Sequence, residues 1–142
     1  MAIATDFEKA TALYEISARL ASGDQREEAL SVLREAEQVV ESVGEPWQQA
    51  ELLCQVAQLL TELEGPERAR LAWDRAISVA QLGENSTDMQ RSADSASVLR
   101  EISEKLTLLG EEEKAKGVAQ SIRSPGYRDG ALQAINRIRA GP

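Results

Sequence analysis

One pattern occurs three times along the chain: an apolar residue, a second four places on, and then Ala-x3-bulky-x2-small starting thirteen places on from the first. The first copy reads Ile16, Leu20, Ala29, Leu33, Ala36, the second Val56, Leu60, Ala69, Trp73, Ala76, and the third Ile102, Leu106, Ala115, Ala119, Ile122. Leu13, Leu53 and Leu99 lead the copies by three residues. Recurring offsets of this kind imply supersecondary units that stack and bury a shared core, and that act by presenting a surface.

Every periodic segment has the three- and four-residue spacing of a helix, and no alternating strand pattern occurs. Helices are predicted over roughly 6–21, 25–42, 46–63, 66–82, a fifth ending near 109, 111–122 and 127–139. The first should place Phe7, Ala10, Leu13, Ile16 and Leu20 on one face, and the last should bury Leu132, Ile135 and Ile138. Gly23 is suited to a C-cap, Asp24 to the next N-cap, and Pro46 to a first helical turn. Gly83 to Asp88 is the most loop-like stretch. The fold class is therefore all-α, with antiparallel helical hairpins. Ala29, Ala69 and Ala115 permit close helix approach, and Trp73 fills the space beside them.

At 142 residues the chain suits a single domain with a real core. No apolar run of about 18 residues predicts a membrane span. The segment MAIATDFEKA carries acids where a secretory signal needs a basic flank, so a cytoplasmic address is expected. The formal net charge of −8 disfavours nucleic acid as a partner. Beyond Glu113, however, six basic residues stand against Asp129 alone, which suits a basic last helix on an acidic neighbour, or head-to-tail contact between molecules.

The chain has no histidine and one cysteine, Cys54. That removes the commonest general base and zinc ligand, and every Ser-His or Cys-His nucleophile. No phosphate-binding glycine motif occurs. Glu101 and Glu104 share a helix face but have no partner base. Glu111, Glu112 and Glu113 point in different directions from a helix start, where carboxylates meet the positive end of the dipole. No catalytic residue, metal site or cofactor is expected, and Cys54 reads as a small apolar residue.

Ala-x3-bulky-x2-small in a second helix, after a first helix with apolar residues at its fourth, seventh and eleventh places, resembles the tetratricopeptide repeat. Units would span about 10–45, 50–85 and 96–125 within one domain of residues 1–142, and residues 127–139 would supply a capping helix. Ser17, Ala57 and Ser103 hold the small eighth place. The spacings of 40 and 46 residues depart from the family's period, and its usual Gly and Tyr places are not kept.

The resemblance implies a right-handed α-solenoid of about seven helices whose first helices line a concave groove for a peptide or helix of another protein. Carried over residue by residue, the groove places are Thr11, Tyr14, Glu15, Ala18, Glu51, Cys54, Gln55, Gln58, Glu62, Arg100, Glu101, Glu104 and Leu108. Their carboxylates favour a basic partner. No Lys falls among them, which speaks against the family's carboxylate-gripping variant. Tyr14 and Trp47 are the aromatic candidates for anchoring a partner, with an inter-repeat wedge as the plainer role for Trp47. The expected function is non-enzymatic protein binding; self-association through end faces, judged by Ile3 and Phe7 at one end and Leu132, Ile135 and Ile138 at the other, is the alternative.

Overall fold

The computed structural model describes residues 5–141, and among them it contains seven helices and no strand. These are α1 (Asp6–Ser22), α2 (Arg26–Val40), α3 (Pro46–Glu64), α4 (Pro66–Glu84), α5 (Met89–Leu108), α6 (Glu112–Ser121) and α7 (Pro125–Ala140). α1 with α2, and α5 with α6, pair as antiparallel hairpins. The chain divides into two compact units, Met1–Ala76 and Ile77–Pro142, with the boundary inside α4.

In the first unit the crossing of α1 and α2 is made by Ala10 and Ser17 on one side and Ala29 and Ala36 on the other, all fully buried. The Ser17 hydroxyl donates to the Ala29 carbonyl at 2.6 Å, so a polar atom at the small eighth place is satisfied across the hairpin. Leu33, Val56 and Leu59 form a cluster against which Tyr14, Ala18 and Ala21 of α1 pack. The Gln49 side-chain amide donates to the Val40 carbonyl and closes the end of α2. Trp73 is buried beside Ala69 and Ala76, as its place in the pattern requires. Its indole N–H donates to Thr61 Oγ1 at 3.1 Å, tying α4 to α3.

Two sequence expectations about α1 fail. Ile16 is 46% exposed, although Val56 and Ile102 at the same pattern place are fully buried. Val56 meets Leu33 of α2, the helix just before its own, and α1 has no such preceding helix among the described residues. Asp24 is not the N-cap of α2. Gln25 holds that position without a side-chain bond, and Asp24 sits at φ 61°. The Gln25 N–H reaches the Leu20 carbonyl and the Asp24 N–H the Ala21 carbonyl, which closes α1 in a Schellman turn with Asp24 in the left-handed place. The end of α5 repeats this geometry with Gly110 at φ 85°.

In the second unit α5 buries Ala96, Val98, Leu99, Ile102, Ser103 and Leu106, and α6 buries Ala115, Val118 and Ala119. The last helix starts earlier than expected, at Pro125, and its fully covered residues are Ala131, Ala134 and Ile135. Leu132 and Ile138 are only half-buried. The face of α7 turned to water carries Asp129, Gln133, Asn136 and Arg137.

The expected loop from Gly83 is also displaced, because α4 runs on to Glu84. Glu84 is 5% exposed. Both of its carboxylate oxygens accept the Arg123 N–H at 2.9 Å, and Oε2 also accepts the Ser124 N–H at 3.0 Å. The Ser92 hydroxyl donates to the Glu84 carbonyl at 2.7 Å, and the Arg123 guanidinium donates to Asn85 Oδ1. One residue therefore fixes the end of α4, the start of α5 and the turn into α7.

Candidate partner-binding faces

Nine of the thirteen groove places read from sequence, Thr11, Tyr14, Glu15, Ala18, Glu51, Cys54, Gln55, Gln58 and Glu62, lie in the first unit. On α3, Glu51, Gln55, Gln58 and Glu62 fall at steps of four, three and four, so they share one face. The first three are half-buried and Glu62 is exposed. The opposite side of α3, including Leu53, Val56 and Ala57, is in the core. The α3 sequence contains no Lys or Arg, so nothing on this helix neutralises its carboxylates. On α1, which touches α3, Tyr14 is half-buried against the Leu33 cluster and Glu15 is exposed.

Cys54 was expected to face a groove, and that expectation is corrected: its side chain is 1% exposed and belongs to the core. Thr11 is half-buried and turns its hydroxyl onto the Phe7 carbonyl at 2.8 Å. Trp47 and Phe7 are half-buried, while Ile3 lies outside the described residues.

The charge of the chain is divided unevenly between the units. Met1–Ala76 contains fifteen acidic residues against seven basic ones, whereas Ile77–Pro142 contains nine of each. The whole formal −8 is thus carried by the first unit. A cleft of about 580 Å³ adds Asp6, Glu8 and Glu45 where the start of α1 meets the turn into α3. Carboxylates at helix starts also offset the unpaired N–H groups there.

Arg100, Glu101 and Glu104 lie on α5, in the second unit, and their charges are met locally. Arg100 Nε donates to Glu104 Oε1 at 3.2 Å, and Lys105 Nζ lies 3.5 Å from Glu101 Oε1. Both are half-buried pairs at i, i+4, each worth about 0.3–0.5 kcal/mol. α7 packs against α5 here. A Cβ at Gly130 would lie 3.3 Å from an Arg100 guanidinium nitrogen, and Glu104 shares a cleft of about 290 Å³ with Ala134, Arg137 and Ile138. Arg139 completes the seat of α7 with a 3.4 Å contact to Glu112 of α6. Leu108 is exposed one turn beyond Glu104.

Sequence pattern did not single out Glu84, Ser92 or Gly130. Glu84 lies in a stretch rich in turn-forming residues, and a lone Glu, Ser or Gly has no periodicity to reveal a distant partner.

Glu37, half-buried between α2 and α4, has its pKa raised by burial, an effect that nearby Arg75 and Arg34 oppose. Arg75 also pairs with Glu41. Among the described residues no group of three or more acidic or cysteine side chains is placed to hold a metal ion, and no helix is long and apolar enough to cross a membrane. Comparison with known protein families, with curated proteins and with solved structures finds no match.

Proposed function

We propose that this chain is a non-enzymatic, cytoplasmic protein-interaction module of tetratricopeptide-like design, and that its partner is a basic peptide or helix held on the α1/α3 side of the first unit. The reading rests on one observation above others: the chain's entire net negative charge falls in that unit, and α3 presents Glu51, Gln55, Gln58 and Glu62 on one face without a basic residue of its own. Tyr14 and Glu15 extend this surface onto α1. Carboxylates and amides arranged so can pair with Lys or Arg side chains and with the backbone of a partner, and such complementarity acts mainly on association rate and specificity. The contribution of α5 is secondary, because Glu101 and Glu104 already have cationic neighbours on their own helix.

The test is affinity capture from the native cell with wild type and Glu51→Lys/Glu62→Lys side by side, followed by titration of whatever basic segment is captured. Reversing two charges should weaken binding roughly tenfold, equal to about 1.4 kcal/mol, with helicity unchanged. The loss should shrink as salt is raised. Equal capture by both proteins would remove the site from α3.

A further inference from the structure

The first hairpin has a side that no helix covers among the described residues. Where the threefold pattern buries Leu53 and Leu99, and then Val56 and Ile102, completely, α1 has Leu13 half-buried and Ile16 46% exposed. The other contacts of the hairpin fix which side this is. Ala10 and Ser17 meet α2, whereas Tyr14, Ala18 and Ala21 turn to the Leu33, Val56 and Leu59 cluster shared with α3. Leu13, Ile16 and Leu20 therefore lie on the side of α1 away from α3. On α2, Ala29 and Ala36 meet α1 and Leu33 turns to α3, which puts the half-buried Val32 and Val39 on that same outer side.

We infer that a second copy of this chain covers this face, the two first hairpins joining about a twofold axis as an antiparallel four-helix bundle. The face lies apart from the α3 residues of the proposed partner site, and the choice of occupant rests on charge. The α1 edge carries the exposed Lys9, and the α2 edge the exposed Glu28 and Glu35. A twofold contact uses one patch twice, so the patch must match itself. With the axis across the helices, α1 stands on α1 and the glutamates of one α2 stand on those of the other. With the axis along the helices, α1 of each copy stands on α2 of the other, and each lysine edge meets a glutamate edge. Juxtaposed like charges disfavour the first arrangement and leave the second.

The heights of the residues agree with it. The Ser17 hydroxyl bonds the Ala29 carbonyl, so these two positions are level. Lys9 comes eight places before Ser17 and Glu35 six after Ala29, which leaves them about 3 Å apart in height at about 1.5 Å per residue. Ile16 and Val32 differ by the same amount. An axis along the helices preserves height, so Lys9 meets Glu35 of the other copy and Ile16 meets its Val32. The apolar seam is short and mostly half-covered already, so the contact belongs to the weak class that forms at raised concentration and leaves the monomer in dilute solution.

The experiment is sedimentation velocity of the full chain from low to high micromolar concentration, with helicity checked for every variant. Wild type should pass from monomer to dimer and go no further, because a twofold contact closes on itself. Ile16→Glu sets a charge in the centre of the seam and should weaken the dimer roughly tenfold or more. Lys9→Glu and Glu35→Lys should each weaken it severalfold, since like charges then face each other in both halves of the contact. An equimolar mixture of those two variants should associate as wild type does, because every altered side chain then meets its opposite. The inference is overturned by a wild type that stays monomeric throughout, or by an Ile16→Glu protein that dimerises equally well. It is also overturned if the mixture associates no better than either variant alone. Glu51→Lys/Glu62→Lys should leave this dimer intact, so the α3 site and the hairpin face fail separately.

Discussion

Ile16, Val56 and Ile102 occupy one place in the threefold pattern, yet truncation to Ala should separate them sharply. Ile102 is fully buried, and Ile→Ala removes three carbons. At about 0.8 kcal/mol per buried methylene the transfer loss is about 2.4 kcal/mol, and the residual cavity raises the total to about 3–4 kcal/mol. Val56→Ala removes two carbons from the Leu33–Leu59 cluster and should cost about 2–3 kcal/mol by the same reckoning. Ile16 is 46% exposed and leaves no cavity. About half of the transfer loss remains, and the better helix propensity of Ala returns about 0.4 kcal/mol, so the net cost is below about 1 kcal/mol. Urea denaturation followed by circular dichroism measures all three, with the midpoint shift read at constant slope. Tryptophan fluorescence isolates the first unit, since both tryptophans, Trp47 and Trp73, lie there. If Ile16→Ala costs as much as Val56→Ala, pattern position rather than burial sets the energetics, and the account of the α1 face is wrong.

Three further outcomes follow from local chemistry. The Ser95 hydroxyl is buried and finds no hydrogen-bond partner among the described residues, so Ser95→Ala should raise stability by about 1 kcal/mol in the same denaturation assay. Asp24→Gly should stabilise by about 0.5–1 kcal/mol, because Gly adopts the left-handed place of the α1 turn without a Cβ penalty. Glu37→Gln should stabilise at neutral pH, and the gain should disappear on acidification below pH 4.5. The folded carboxyl, with its pKa raised by burial, holds a proton that the unfolded one has already lost, so stability falls as pH rises through that interval. A Glu37→Gln gain independent of pH would refute the burial account.

The hairpins were legible in sequence because their cause is local. Ala29, Ala69 and Ala115 are each fully buried where the pattern puts a close crossing, and helix ends followed Pro46, Gly65 and Gly110. What escaped the sequence depended on partners far along the chain. Ile16 has the side chain of a core residue, and only the absence of a described neighbour on that side leaves it in water. Glu84 looks like loop, yet residues 39 and 40 places away hold it in the last turn of α4. Of the candidate faces, the grouping on α3 was legible from helical period alone. The pairing of Glu101 with Lys105 and of Glu104 with Arg100 needed rotamers, and the packing of α7 on α5 joins residues far apart in the chain that no spacing rule links.

On the proposed reading, the repeated places and the charged faces have different work in this chain. Small and apolar residues recur because each hairpin solves the same packing problem, so they cannot distinguish one partner from another. The acids do not recur in that way. In the first unit they outnumber bases by eight, whereas in the second every acid is matched in number and α5 carries its own cations. On that reading a basic ligand is drawn to the first unit, which carries the net negative charge and whose α3 has no basic side chain of its own. Binding there should accordingly weaken as salt concentration rises.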